Sequence, residues 1–131
     1  MRLVNWIKYS LIHDYDDNSF INSLFFQTLW LSKRIEYHLQ GNHLIANAKA
    51  LVFAGLFFNN KKSKKILNLG INLLLKEINN QILDDGGHYE RSSMYQSLIV
   101  EDILDIVKIL RLYEYHDRSV EALLLKIAKN M

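Results

Sequence analysis

This sequence predicts an all-α chain of six helices arranged in antiparallel hairpins, on three observations. No proline occurs in 131 residues, so no helix interior loses an N–H to a pyrrolidine ring. Apolar residues recur at three- and four-residue spacing along most of the chain, and nowhere do they alternate as in a half-buried strand. Short polar clusters separate the periodic segments, which sets consecutive helices side by side and opposed.

Leu3, Val4, Ile7 and Leu11 share one face of a short first helix. Asp14-Tyr15-Asp16-Asp17-Asn18-Ser19 ends it and supplies caps for the second. Asp14, Asp16 and Asn18 have calcium-loop spacing, but Ser19 stands where that loop needs glycine and Phe25 where it needs its closing glutamate. Ile21, Leu24, Thr28, Leu31, Ile35 and Leu39 trace a stripe that carries the second helix to about Gln40. Gly41 is expected to close that helix in a left-handed conformation, and Asn42 to cap the third. From His43 to Phe58 the third helix is apolar nearly all round after Lys49, with alanines at 46, 48, 50 and 54, so neighbours are expected on several sides.

Asn59 to Lys65 is a solvated turn and helix start, and its four lysines form a solvated charge run. The fourth helix turns Leu67, Ile71, Leu74, Ile78 and Ile82 inward and Asn68, Asn72, Lys76 and Asn79 outward. In the fifth, Tyr95, Ile99, Ile103, Ile106, Leu110 and Tyr113 share the inner face, with Glu101, Asp105 and Lys108 opposite. A last short helix covers about Ser119 to Lys129.

Half of the chain is hydrophobic and 23% is charged, the profile of a globular domain of one core. A formal charge of +2 gives no footprint for nucleic acid. The longest apolar run, Ala50 to Phe58, falls well short of the ~18 residues of a spanning helix, so no membrane partner is expected. Met1 to His13 lacks the unbroken apolar run of a signal peptide, and without cysteine the compartment stays undecided. The histidines show no paired ligand spacing, so neither a metal nor another cofactor is expected.

The chemistry concentrates in Asp84-Asp85-Gly86-Gly87-His88-Tyr89-Glu90-Arg91-Ser92-Ser93-Met94-Tyr95, a connector richer than two helices need. The paired glycines permit a sharp reversal through positive φ, and Ser92 or Ser93 can cap the helix that follows. On residue type alone, Asn42 is a cap, His43 an exposed first-turn residue, Tyr95 a core phenol, and Glu90 with Arg91 a structural ion pair. A glycosidase built on Asp84 or Asp85 with Glu90 needs carboxylates ~6.5–9.5 Å apart, and nothing in the sequence sets that distance.

Leu39-Gln40-Gly41-Asn42-His43-Leu44-Ile45-Ala46-Asn47-Ala48-Lys49-Ala50-Leu51 resembles the start of an inner helix in the heparinase II/III-like polysaccharide lyases. Asp85 to Tyr95 resembles that family's second signature, and Ile35-Glu36-Tyr37-His38 also fits; the likeness covers roughly positions 20 to 112. The resemblance implies part of a helical (α/α) toroid, with residues 1–131 as a single partial domain and the family's usual β-sandwich domain absent. It also implies β-elimination on uronic-acid polysaccharides such as heparan sulfate or alginate, by enzymes that are commonly periplasmic or secreted. Asn42 and His43 match the pair that contacts the substrate carboxylate, and Tyr95 matches the catalytic tyrosine. His88, Glu90 and Arg91 are expected to bind substrate or support the residues that do. The chain departs from the family at Ser93, usually proline, and Gln96, usually histidine.

β-Elimination takes the weakly acidic proton beside a uronate carboxylate and expels the glycosidic oxygen from the next carbon. Donors from Asn42 and His43 at a helix start would spread the charge that develops. A phenol of pKa ~10 needs a nearby cation to act as base, and Arg91, then His88, are the candidates beside Tyr95. The chain is therefore expected to be a fragment or truncated lyase with low activity in isolation, prone to self-association or lacking its remainder. The alternative is a non-catalytic helical module that binds acidic glycans or a protein partner.

Overall fold

The computed structural model describes residues 2–39 and 41–131, and six helices account for most of them: α1 (Arg2–His13), α2 (Asn18–Lys33), α3 (Asn42–Phe57), α4 (Lys61–Gln81), α5 (Ser93–Leu112) and α6 (Arg118–Asn130). Among the described residues the only β pairing is an isolated bridge between Ile82 and His88. The all-α expectation holds, and each helix is packed against the one that precedes or follows it. No described helix is long and apolar enough to cross a membrane.

α3 is the hub, touching α1, α2, α4 and α5. Its alanines and Gly55 explain the closeness of α4: a Cβ on Gly55 would stand 2.6 Å from the Leu67 Cα. Ile45, Val52 and Phe53 of α3 join Leu74 of α4, Ile99, Ile103 and Ile106 of α5, and Leu124 of α6 in one core. At roughly 25 cal/mol per Å², each such apolar side chain contributes about 1.5–3 kcal/mol on leaving water.

The helix starts follow their polar residues. Asp17 accepts from the Phe20 N–H at 2.9 Å, and Ser92 caps α5. Asn60 and Ser63 form a reciprocal capping box, so Ser63 is buried although it lies within the lysine run.

Three expectations are corrected. α2 stops at Lys33, not near Gln40, and Arg34 is its C-cap. Ile35 still packs against the core from outside the helix, which is why the apolar period ran on; Leu39 is exposed, and Gln40 lies outside the described residues. Gly41, with φ 58 and ψ −149, is the N-cap of α3, and Asn42 is the first helical residue. Asp105 does not face solvent. Lys49, 1% exposed, holds Asp102 Oδ1 at 2.8 Å and Asp105 Oδ2 at 2.6 Å, and Lys8 reaches Asp105 from the rim at 2.5 Å. This network ties α1, α3 and α5 together through charge. The carboxylates hold Lys49 protonated above its ordinary range in spite of burial, and the two lysines hold the Asp105 carboxyl below its own.

Candidate active site

The start of α3 lies against the turn that leads into α5. Gly41 makes this approach possible: a Cβ there would stand 2.7 Å from Glu90 Oε1 and 3.2 Å from the Tyr89 hydroxyl, and its backbone angles suit glycine alone. Of the two glycines in the turn only Gly86 takes positive φ, while Asp85 Oδ1 accepts from the Gly87 N–H at 2.9 Å.

Gln81, buried at the end of α4, joins the two helix starts. Its Nε2 donates to the Gly41 carbonyl at 2.8 Å and to Glu77 Oε2 at 3.0 Å, and its own carbonyl accepts from the Tyr89 N–H at 2.9 Å. Its Oε1 lies 3.2 Å from His88 Nε2. With both amide hydrogens engaged, Oε1 can only accept, which assigns the imidazole proton to Nε2. Nδ1 is left as a buried lone pair without a partner. Burial pushes the His88 pKa below the usual imidazole value against the opposing pull of Glu90, so the 1%-exposed ring is neutral at pH 7. It stands 4.8 Å from the Tyr89 ring and 6.5 Å from the Tyr95 ring, centroid to centroid.

The expected site residues divide between two faces of this junction. Tyr95 sits half-buried in the first turn of α5 beside His88. Glu90 is exposed and turned toward Gly41 and the Tyr89 phenol, whose pKa rises through desolvation first and the neighbouring carboxylate second. The Glu90–Arg91 ion pair does not form among the described residues: Arg91 is exposed at φ 53, and its backbone N–H donates to the His88 carbonyl at 2.8 Å. Asn42 is half-buried one residue beyond the junction. His43 is exposed and opens on the outer side into a groove of about 660 Å³ whose wall includes Arg2, Trp30, Arg34, His38 and Asn47. Tyr95, His88, Glu90 and Arg91 are not in that wall.

Sequence reasoning missed Gln81 and the groove. A buried glutamine has no signature in one sequence, whereas Trp30 followed by Arg34 one helical turn later was a readable aromatic–cation pair. Gln96 donates through Nε2 to the Met131 carbonyl and so fastens the end of α6 to the start of α5. Among the described residues no group of three His, Cys, Asp or Glu is placed to hold a metal ion.

Comparison with known proteins places this geometry in context. The family described as heparinase II/III N-terminus matches residues 5–127. A heparin-sulfate lyase of Bacteroides stercoris is 31% identical over 94 residues, covering 71% of this chain and 14% of that protein. A heparin-sulfate lyase of Bacteroides thetaiotaomicron is 35% identical over 104 residues, covering 69% of this chain and 15% of that protein. The chain thus spans 14–15% of the length of the curated relatives it matches. No solved structure is significantly similar to it.

Proposed function

This chain belongs to the heparinase II/III N-terminus family, and on that premise we propose that its helices form part of an (α/α) toroid lining the cleft of a polysaccharide lyase. The substrate is an acidic polysaccharide containing uronic acid, cleaved by β-elimination. The observation that carries the reading is the clasp of Gly41 against Glu90 and Tyr89, with Gln81 spanning from Gly41 to His88. It keeps Asn42 and His43, at one helix start, on the same structural unit as Tyr95, at another.

On this reading Asn42 and His43 hydrogen-bond the uronate carboxylate and stabilise the charge that builds as the adjacent C–H bond breaks. The N-terminus of α3 adds its partial positive charge. Tyr95 takes the proton as its phenolate, the C–H electron pair forms the carbon–carbon double bond, and the glycosidic C–O bond breaks with its electron pair leaving on oxygen. The leaving oxygen needs a proton in turn, which Tyr95 can return when both groups depart from the same face. Neutral His88 beside Tyr95 supplies a lone pair at Nδ1 that can accept from the phenol and orient it.

Binding without cleavage is the second reading, favoured by the departure at Gln96, whose amide is committed to the Met131 carbonyl. Incubating the protein with heparan sulfate and with alginate separates the two. A lyase generates a 4,5-unsaturated uronate that absorbs in the ultraviolet, and Tyr95→Phe abolishes that product while the fold survives. Saturable glycan binding without product refutes catalysis by these residues.

A further inference from the structure

We propose that the groove beside His43 is a subsite for one acidic sugar residue, with the Trp30 indole as its stacking platform and Arg34 and Arg2 as anchors for a carboxylate or sulfate. The proposal rests on the acidic-polysaccharide reading above and adds the residues that would recognise the sugar next to the reacting one.

Trp30 is 58% exposed in the last turn of α2 and lines the groove, so a face of its ring is open to a ligand there. The Arg34 guanidinium carbon lies 5.1 Å from its ring centroid, a cation–π contact that orients the guanidinium while its N–H groups remain available. The C–H face of a pyranose is flat and apolar, and laying it on an indole removes hydrocarbon from water on both sides.

Charge selects an acidic sugar over a neutral one. Neither Arg2 nor Arg34 forms an ion pair among the described residues. The one carboxylate in the wall, Glu36, accepts from Asn47 Nδ2 at 3.0 Å. Two arginines against one engaged carboxylate leave the groove positive, and a guanidinium matches a planar carboxylate or a sulfate through paired hydrogen bonds.

An independent observation comes from Asn47. It is 6% exposed, and both its amide hydrogens are committed, to Glu36 and to the His43 carbonyl at 2.6 Å. Its Oδ1 has no partner. A buried acceptor left unmade costs about 1–3 kcal/mol, and a hydroxyl drawn against Asn47 at the groove wall would relieve that cost. The groove volume of about 660 Å³ lies within the roughly 300–1,000 Å³ of ligand clefts. Because His43 lines the same groove, a sugar seated there adjoins the carboxylate-binding pair.

The test is calorimetric titration of the intact protein with a heparan sulfate hexasaccharide, a mannuronate hexamer and a neutral dextran of equal length. Wild type, Trp30→Ala, Arg34→Gln, Tyr95→Phe and the control Phe26→Ala, which alters an exposed ring outside the groove, are compared. Binding to one or both acidic oligomers is expected, weakening as salt rises, with dextran at least tenfold weaker. Trp30→Ala and Arg34→Gln each lose about tenfold or more in affinity at unchanged melting temperature, whereas Phe26→Ala binds as wild type and Tyr95→Phe serves to read product formation alone. Groove variants that bind as tightly as wild type overturn the subsite, and Tyr95-dependent product would still stand for the lyase. A dimer that Trp30→Ala dissociates without any change in glycan affinity also overturns it, because that face then belongs to a second copy. If wild type neither binds an acidic oligomer nor forms product, both readings fall together.

Discussion

Replacing Lys49 with methionine strikes the charge network buried in the core between α3 and α5. The ammonium is enclosed between Asp102 and Asp105, which face it from α5 at 2.8 and 2.6 Å. Methionine fills most of the same volume, so the loss is electrostatic and not a cavity. Two carboxylates then stay in low dielectric with only rim-exposed Lys8 nearby, and removing one partner of a buried pair costs about 3–5 kcal/mol. For a chain of this size that lowers the melting temperature by roughly 10–20 °C.

The penalty depends on pH in a set direction. The Asp105 pKa is depressed in the folded state, so its stabilisation is present above the unfolded value of 3.8 and lost as pH falls through the folded one. The Lys49 pKa is raised, so its contribution is complete below 10.5 and lost as pH rises through its folded value. Urea denaturation of wild type and Lys49→Met, followed by circular dichroism at pH 7 and pH 3, reads the difference. The gap should be wide at pH 7 and narrower at pH 3. A variant within about 1 kcal/mol of wild type at pH 7, the range of an exposed pair, refutes the reasoning, as does a gap unchanged in acid.

Two further perturbations address the junction between the helix starts. Gly41→Ala forces a Cβ to within 2.7 Å of Glu90 Oε1 at a φ of 58, at a cost of about 1–3 kcal/mol in backbone strain alone; a chemical denaturation midpoint equal to wild type would contradict it. His88 is the one buried histidine, and its pKa is lowered on folding. Its neutral form is favoured above 6.5, so wild type should lose stability between pH 7.5 and 5.5 and His88→Phe should show a flatter profile, with denaturation at both pH values as the measurement.

The helices were legible because local signals agreed: the apolar period, Asp17, Asn60 and Ser92 as caps, and the alanine-rich face of α3. The end of α2 was not, because neither glycine nor proline marks Lys33 and Ile35 keeps its place in the core after the backbone has left the helix. Asp105 was assigned to the outer face on charge, but burial there depends on Lys49, 56 residues away. Nothing within one helix reports such a pairing. For the site, the motif strings identified two helix starts, and glycine at 41 foretold an unusual backbone though not its role as cap. The contact of Glu90 with Gly41, and the groove between α2 and α3, arise from tertiary packing and have no local trace.

The carboxamide of Gln81 has a longer reach. With both hydrogens and one oxygen committed, it works as a rigid gauge that sets the spacing between α3 and the turn before α5. Parting α3 from the turn before α5 would have to break the bond to Gly41 or the one to His88 in a dry interior. The carboxamide therefore makes the meeting of the two helix starts the stiff part of this wall.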